Sequence, residues 1–256
     1  MLTVLGDFAW PENRPVWTSA LLYALTGMGR EERTARQAVA RCAKAGWIEK
    51  TKHGRTVSWT LTPQGAEVIS SGARRVGGRA PRKWDRRWLI LSTTVRESRR
   101  ATRTRLYAGL HWAGFGSPTP GLWVCPHTDR LDEVTRLIED LGLKDETIAF
   151  MGTAEAVGIP ETELVHRSWD LDALRSYFEQ VLLQYGDLTP APGDDTFFAY
   201  LGIVSELQRF PYRDPKLPEE LVPDWVGRKA ASTLWNLRDK WSKEATRRWA
   251  ELNAGP

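Results

Sequence analysis

The chain has 256 residues and a formal net charge of +4, with 41% hydrophobic and 27% charged residues. This length exceeds that of a single small domain, and the composition excludes a disordered or fibrous chain. No apolar run approaches the ~18 residues that a membrane span requires.

Charge is distributed unevenly along the chain. Residues 1–87 carry 16 Lys and Arg against 7 Asp and Glu, whereas the remainder carries 20 against 25. A basic first third on an acidic body predicts that a polyanionic partner binds the first third.

The residues that usually carry chemistry are sparse. Cys42 and Cys125 make no disulfide framework, and the four histidines have no metal-ligand spacing. We find no nucleophile–base motif and no Gly-rich phosphate loop after a strand. We therefore expect no enzyme activity, no catalytic residues, no cofactor and no metal. The opening segment holds Asp7 where a signal peptide has a basic start, so we expect a cytoplasmic protein.

Three helices are predicted in the first 45 residues. A short one spans Leu2 to Ala9 and is ended by Pro11. The second begins at Thr18, a capping-type residue, and stops at the Gly27/Gly29 pair. The third runs from about Glu31 to Ala45 and ends at Gly46. Its two sides differ, because small apolar side chains (Ala35, Ala38, Val39, Cys42) lie opposite cationic and amide ones (Arg33, Arg36, Gln37, Arg41, Lys44).

A hairpin with a basic tip follows the third helix. Residues 47–51 and 57–61 alternate apolar and polar side chains around Lys52-His53-Gly54-Arg55. A helix pair followed by a basic hairpin is typical of a winged helix-turn-helix, whose second helix enters the DNA major groove. The predicted DNA contacts are Arg33, Thr34, Arg36, Gln37 and Arg41 in the groove, and Lys52, His53 and Arg55 at the hairpin. The alternatives are a protein-docking module with a basic surface, and a helix face whose arginines are simply solvated.

The rest of the chain predicts two further domains. A helix from Thr62 to Ile69 is followed by a Gly-, Arg- and Pro-rich linker, residues 71–84. Strands near 87–95, 121–125 and 147–151 alternate with helices near 97–113 and 128–141, which favours a ferredoxin-like α/β sandwich. From Trp169 onward the pattern is helical. We thus expect an α+β multidomain chain: winged helix-turn-helix (1–70), linker, ferredoxin-like domain (85–165) and helical C-terminal domain (166–256).

Ten short motifs occur in a characteristic order. They are Val16-Trp17-Thr18, Arg33-Thr-Ala-Arg36 with Arg41, Gly46-Trp47-Ile48, Gly54-Arg55, Leu61-Thr-Pro-x-Gly65, Trp88-Leu-Ile-Leu91, Gly114-Phe115, Pro120-Gly-Leu-Trp-Val124, Trp169-Asp-Leu-Asp-Ala-Leu174 and Arg209-Phe-Pro-x-x-Asp-Pro-x-Leu-Pro218. In this order the chain resembles the PaaX family of bacterial transcriptional repressors of aromatic-acid catabolism, along nearly its whole length.

The resemblance implies a homodimeric repressor that binds a palindromic operator and is released by an acyl-CoA thioester, typically phenylacetyl-CoA. It also implies a middle domain similar to a CRISPR adaptation nuclease subunit. Such a nuclease needs an aspartate at the end of its first strand, where this chain has Thr93-Thr94. A hydrolytic role is therefore not expected.

An acyl-CoA effector needs cations for its phosphates and an apolar slot for its acyl group. The candidates are in and around a Pro-rich loop predicted between Phe210 and Trp225, and they are Trp169, Arg209, Tyr212, Arg213 and Trp225. The alternative is that this loop only braces helices and that Arg209 pairs with Asp214. For the whole chain, the rival function is a protein-interaction or dimerisation module that does not bind DNA.

Overall fold

The computed structural model describes residues 1–10, 12–76, 83–154 and 158–255. In this part of the chain the protein is mixed α+β with two antiparallel sheets. It forms two compact units. The first comprises Met1–Gly78, Leu182–Arg209 and Ala231–Pro256, and the second Arg79–Val181 and Phe210–Ala230. The domain boundaries predicted from sequence group the residues differently and remain a prediction.

The first unit begins with helices and a three-stranded sheet. Its elements are α1 (Leu2–Val4), continued as a π-helix (Leu5–Ala9), β1 (Val16–Trp17), α2 (Thr18–Gly27), α3 (Glu32–Lys44), β2 (Ile48–His53), β3 (Thr56–Leu61) and α4 (Pro63–Val76). The strand order is β1-β3-β2. The predicted helices and the hairpin are confirmed, whereas β1 was not predicted because two residues carry no periodicity. Pro11, the expected end of the first helix, lies outside the described residues.

Helix α3 ends at a glycine, as predicted. Gly46 has φ 73°, a left-handed conformation that costs a residue with a side chain more than it costs glycine. The N–H groups of Trp47 and Gly46 bond back to the carbonyls of Cys42 (3.0 Å) and Ala43 (3.0 Å). This pair of bonds is a Schellman motif, which closes the helix and turns the chain directly into β2.

The predicted capping role of Thr18 is wrong. Trp17 occupies the N-cap position of α2, and Thr18 is the first helical residue. The Thr18 hydroxyl donates to the Val57 carbonyl (3.0 Å) and accepts the indole N–H of Trp59 (2.9 Å). It therefore ties α2 to β3 rather than closing the helix end, a long-range role that local sequence cannot reveal.

Helix α4 is longer than predicted. It continues past Ile69 to Val76, through the first part of the predicted linker. The hydroxyls of Ser70 and Ser71 bond to the carbonyls of Glu67 (3.1 Å) and Val68 (3.0 Å), so the polar side chains are satisfied within the helix. Residues 77–82 of the predicted linker lie outside the described residues.

The second unit contains a four-stranded sheet. Its elements are β4 (Trp88–Thr93), α5 (Arg100–Trp112), β5 (Gly116–Thr119), β6 (Leu122–Cys125), α6 (Leu131–Asp140), β7 (Thr147–Gly152) and α7 (Glu161–Ser168). The strand order is β5-β6-β4-β7, with antiparallel pairs throughout. One sheet face is buried together with α5 and α6 in a core that includes Leu89, Leu91, Leu106, Leu110, Trp123 and Ile138.

Strand β5 and helix α7 were not predicted. The β5 segment, Gly-Ser-Pro-Thr, has low strand propensity, and its pairing with β6 supplies what the sequence lacks. A methyl group at Gly116 would lie 2.5 Å from the Ser168 carbonyl oxygen. Glycine is therefore needed for the close approach of β5 to the end of α7.

Three longer helices complete the chain: α8 (Leu171–Tyr185), α9 (Asp194–Arg213) and α10 (Val226–Leu252). The predicted cap of α8 is confirmed, since the Asp170 carboxylate accepts the Ala173 N–H at 3.0 Å. Helix α9 includes Pro211 and extends to Arg213, so the loop predicted from Phe210 begins at Asp214 instead. Among the described helices, none is both long and apolar enough to cross a bilayer.

Candidate nucleic-acid interface

The outer face of α3 is exposed and cationic. Its inner face is closed by Ala35, Val39 and Cys42, which are buried. The five predicted groove residues all lie on the exposed side: Arg33, Thr34, Arg36, Gln37 and Arg41. Because the small inner side chains fill the core side, the longer polar side chains are left to project outward. The structure thus places these five residues on one surface, as the periodicity indicates.

One of these residues has an intramolecular partner. The Arg36 guanidinium donates two hydrogen bonds to one carboxylate oxygen of Glu32, at 2.9 and 2.6 Å. The two side chains are 60% and 61% exposed. The spacing of Glu32 and Arg36 is the i,i+4 order that favours such pairs, so the sequence held a signal that our prediction did not use.

The hairpin is closed by a two-residue turn. His53 pairs with Thr56, and Gly54 has φ 60°, which leaves Gly54-Arg55 as the turn. Glycine with positive φ at the first turn position matches the right-handed twist of the flanking strands. Lys52 and Arg55 are exposed at this end of the hairpin and have no ion-pair partner among the residues described.

His53 is engaged by its neighbours. Its Nε2 atom lies 3.0 Å from the buried hydroxyl of Ser58, and its ring lies 4.9 Å from the Trp17 indole. His53 is therefore positioned by contacts with β1 and β3. Sequence reasoning missed this contact, since it depends on the unpredicted strand β1.

Helices from the C-terminal part of the chain hold the helix pair and hairpin in the first unit. The Tyr23 hydroxyl of α2 donates to Asp194 (2.5 Å), and Arg248 of α10 donates to the same carboxylate (2.7 Å). The hydrogen bonds from Arg248 and Tyr23 hold the pKa of Asp194 below its usual value. At the other side, the Asn253 side chain accepts the Trp17 N–H (2.9 Å) and donates to the Pro15 carbonyl (3.0 Å).

An aromatic cluster lies beneath these polar links. Phe8 stacks on Trp249 with ring centroids 5.0 Å apart, and it lies 5.9 Å from both Phe197 and Tyr200. The Tyr200 hydroxyl donates to Asp7, which also pairs with Arg238. Burial, reinforced by the Asp7 charge, raises the pKa of Tyr200. The first helix is thus packed against α9 and α10.

The five predicted effector residues differ in exposure and in their partners. Trp169 and Trp225 are buried, whereas Arg209, Tyr212 and Arg213 are exposed. In the second unit each of the four members contacts a different ring: Trp169 stacks on Trp88 (6.4 Å), Tyr212 lies against Trp112 (4.3 Å), the Arg213 guanidinium lies over Tyr177 (5.2 Å) and Trp225 packs on Phe178 (6.0 Å). In the first unit, Arg209 pairs with Glu206 at 2.5 Å.

The expected Arg209–Asp214 pair is therefore wrong. Asp214 is buried and accepts the Lys216 N–H at 2.9 Å, which fixes the loop after α9. Burial raises the pKa of this carboxyl group, against the effect of the Lys216 N–H. In the same loop, the carbonyls of Leu217 and Val222 accept hydrogen bonds from Arg228 (3.3 and 2.6 Å). The loop thus braces α10, as the structural alternative proposed.

A surface cavity of about 330 Å³ lies between α5 and α6. Trp112 and Leu137 form its apolar part, and Arg136 and Asp140 its charged part. None of the five predicted effector residues lines it. Tyr212 packs against Trp112, which is one of the residues that line the cavity. Thr93, which stands where the resemblance led us to look for an aspartate, is buried and accepts a hydrogen bond from the Thr147 hydroxyl (3.0 Å).

Three family models match the chain. They are described as PaaX-like protein (residues 1–65), PaaX protein central Cas2-like domain (81–165) and PaaX-like protein C-terminal domain (169–251). Transcriptional repressor PaaX of Escherichia coli (strain K12) is 25% identical over 247 residues, covering 92% of this chain and 77% of that protein. The matched relative is a regulator rather than an enzyme, in agreement with the expectation that this chain is not an enzyme.

A solved structure supports the fold alone. The uncharacterized protein Rv0674 from Mycobacterium tuberculosis superposes with a TM-score of 0.62 at 20% identity, covering 97% of this chain and 96% of its own. The family models account for nearly all of the sequence, in the chain order that the sequence motifs indicate. The chain belongs to the PaaX family.

Proposed function

We propose that this protein is a DNA-binding transcriptional repressor of aromatic-acid catabolism genes. The observation that carries the proposal is the exposed cationic face of α3 in a chain whose relative is a transcriptional repressor. Helices α2 and α3 followed by the β2–β3 hairpin support a winged helix-turn-helix, with α3 in the major groove. The element order β4-α5-β5-β6-α6-β7 supports a ferredoxin-like sandwich in the second unit.

In this proposal the two parts of the surface have separate tasks. Arg33, Arg36, Gln37 and Arg41 carry the donors that pair with base edges, and Thr34 lies among them. Lys52, His53 and Arg55 contact an adjacent minor groove or the phosphates, which position the protein without reading sequence.

The protein is proposed to bind a palindromic operator as a homodimer. A two-fold symmetric dimer presents two recognition helices to two half-sites, usually one helical turn apart. Strand β7 is an edge strand whose Ile148 and Phe150 are 60% and 59% exposed on the face opposite α5 and α6. Apolar side chains at an uncovered sheet edge support association with a second copy.

The effector is proposed to be an acyl-CoA thioester such as phenylacetyl-CoA, with Trp169, Arg209, Tyr212, Arg213 and Trp225 as candidate contacts. Tyr212 and Arg213 are accessible as the structure stands, whereas the buried Trp169 and Trp225 require side-chain rearrangement. The effector would favour a dimer geometry whose recognition helices no longer match the half-sites.

The test is fluorescence anisotropy with DNA from upstream of the protein's own gene and with a scrambled duplex, followed by titration of phenylacetyl-CoA. We expect operator preference that survives rising salt, and release by the thioester. Binding without release would retain the repressor and exclude this effector. No preference between duplexes would instead favour the protein-interaction module.

Two substitutions test the division of tasks. Arg36→Ala is expected to remove operator preference at a cost of about 1–3 kcal/mol, because it deletes a base contact. Lys52→Ala is expected to weaken operator and scrambled duplexes about equally, because it deletes a phosphate contact. If the two variants behave alike, the proposed division is incorrect.

A further inference from the structure

A second concentration of arginine lies outside the proposed DNA-binding segment. Residues 88–256 are acidic on average, but residues 86–128 contain seven arginines and a single acidic residue, Glu97. Five of these arginines fall between Arg96 and Arg105, at the start of α5 and in the 3-10 turn (Glu97–Arg99) that precedes it. Residues 88–256 are therefore acidic on average although they include α5, a strongly basic helix.

Only one of these five arginines has a structural partner among the described residues. Arg99 pairs with Glu146 (2.9 Å) and donates to the Leu141 carbonyl (3.0 Å). Arg96, Arg100 and Arg105 are exposed and Arg103 is partly exposed, and no ion-pair partner is found for them in the described part of the chain.

Two of the unpaired arginines form a row with a tyrosine. Arg100, Arg103 and Tyr107 follow an i, i+3, i+7 spacing and so lie on one side of α5. Arg96 stands at the N-cap of the preceding 3-10 turn. The Tyr107 ring is held 4.9 Å from Trp123 and remains 40% exposed. We call Arg96, Arg100, Arg103 and Tyr107 the α5 basic row.

This arrangement contradicts the usual electrostatics of a helix. The N-terminus of a helix carries a partial positive charge, which favours acidic residues in the first turn and disfavours cations. The first turn of α5 has no acidic residue and begins with Arg100. Violations of a local rule without a compensating partner concentrate at functional sites, so the row is better explained by a bound polyanion than by solvation.

The chemistry of the row fits phosphodiester groups. Arginine forms paired hydrogen bonds with phosphate oxygens, and a tyrosine hydroxyl can donate to the same groups. Duplex DNA carries one negative charge per ≈ 1.7 Å of its axis, so several cations along one helix side can engage it together. In contrast, α6 in the same unit presents four acidic residues and Arg136 as its only basic residue, which would repel DNA.

We infer that the α5 basic row is a second contact with the phosphate backbone of operator DNA, independent of sequence. The inference rests on the proposed function, since it takes duplex DNA as the partner. It adds a contact outside the helix pair and hairpin. Because phosphates carry no base identity, the row should raise affinity for every duplex without changing operator preference.

The test compares salt dependence among variants of the full chain. The variants are Arg96→Gln with Arg100→Gln, Arg100→Gln alone, and Arg105→Gln as the matched control. Arg105 is exposed and unpaired like Arg100, but it lies about 140° around the helix from it. Each variant's affinity for operator and scrambled duplexes is measured from low to moderate salt, after unfolding curves confirm that its stability matches the original protein.

Each substitution removes a contact from both protomers of the proposed dimer. We therefore expect the double variant to reduce the slope of log affinity against log salt by about 3.6, and Arg100→Gln by about 1.8. Arg105→Gln should leave the slope unchanged, and all variants should keep the ratio of operator to scrambled affinity. The inference is overturned if the double variant keeps the original slope. It is equally overturned if Arg105→Gln lowers the slope as much as Arg100→Gln, because the effect would then be one of net charge.

The remaining outcomes separate this inference from the repressor proposal. If the original protein prefers the operator and the double variant has an unchanged salt slope, the repressor proposal stands and only the inference about the α5 basic row is overturned. If the original protein shows no preference for the operator, the proposal of a sequence-specific repressor is overturned. The salt slopes of the variants still show whether the α5 basic row contacts DNA. No DNA binding at all overturns both. Variants with unchanged DNA binding that need more phenylacetyl-CoA for release would assign the row to the CoA phosphates and overturn the inference.

Discussion

Arg36, the residue proposed to read a base, forms an ion pair within its own helix. Arg36 of α3 is bonded to Glu32 one turn earlier, so in the proposed complex this pair has to break before the guanidinium can reach a base edge. An exposed pair of this kind contributes about 0.2–1 kcal/mol. The glutamate also places a negative charge beside the phosphates. In the proposed complex we therefore expect Glu32 to lower affinity for DNA in two ways.

We expect Glu32→Gln to tighten operator binding by the proposed dimer about two- to thirtyfold, because neither Arg36 has to be released and one repulsive charge is removed from each protomer. Anisotropy titration at fixed salt measures the change. Glu31→Gln is the control, since it removes the same charge from the adjacent exposed position, where no side-chain partner is described. Equal gains from both variants would show that charge alone matters and that the Glu32–Arg36 pair does not.

At the scale of elements, the contacts of the turn between β3 and α4 explain the motif Leu61-Thr-Pro-x-Gly65. Thr62 donates its backbone N–H to the Trp47 carbonyl (3.1 Å) and its hydroxyl to the Gly46 carbonyl (2.5 Å). The same hydroxyl accepts the Gly65 N–H (3.0 Å), which caps α4. Gly65 must be glycine, because a methyl group there would lie 2.0 Å from the Trp47 carbonyl oxygen. The motif thus fastens α4 to the segment that joins α3 to the hairpin.

Two glycines of α4 are expected to respond oppositely to the same substitution. Gly65→Ala should lower the free energy of unfolding by about 1–3 kcal/mol, because the rigid main chain of Trp47 must move. Gly72→Ala should raise it by about 0.5–1 kcal/mol, since nothing lies within 4 Å and alanine favours the helix. Chemical denaturation of each variant gives both values. A stable Gly65→Ala variant would contradict the close approach described here.

The sequence predicted elements whose own residues carry the pattern. Helix α3 and the β2–β3 hairpin follow from periodicity and glycine placement, and the exposed face of α3 followed with them. Strand β1 was missed because its two residues pair with β3, which lies far along the chain, and β5 was missed because Gly-Ser-Pro-Thr has low strand propensity. The Glu32–Arg36 pair was predictable from spacing, whereas the His53–Trp17 contact required β1. The Arg209–Asp214 pair was wrong because α9 extends beyond the loop's predicted start.

At the scale of the whole molecule, the first unit is built from three separate segments of the chain. Its aromatic cluster joins Phe8 of the first helix to Phe197 of α9 and Trp249 of α10. Residues more than two hundred positions apart therefore complete one core. The helix pair and hairpin are supported by this core, so their stability depends on the C-terminal helices.

Trp249→Ala is expected to lower the free energy of unfolding by about 3–5 kcal/mol, because it removes a buried ring that touches Phe8 and Phe197. Trp249→Phe should cost less, since a smaller ring still fills part of the site. Denaturant titration of the full chain measures both values, with unfolding monitored by far-UV circular dichroism instead of tryptophan fluorescence. An alanine variant as stable as the original protein would show that the cluster is not part of the first unit's core.

The bonds made by Asn253 have a consequence for how the sequence can vary. The hydrogen bonds of its amide side chain in the described part of the chain go to the main chain at Pro15 and Trp17, through one carbonyl and one N–H. Any pair of residues at those two positions presents the same groups, except that proline at 17 would lack the donor. We therefore expect the three positions to vary differently among relatives. Positions 15 and 17 are free of this constraint, whereas position 253 must keep a side chain that both donates and accepts a hydrogen bond.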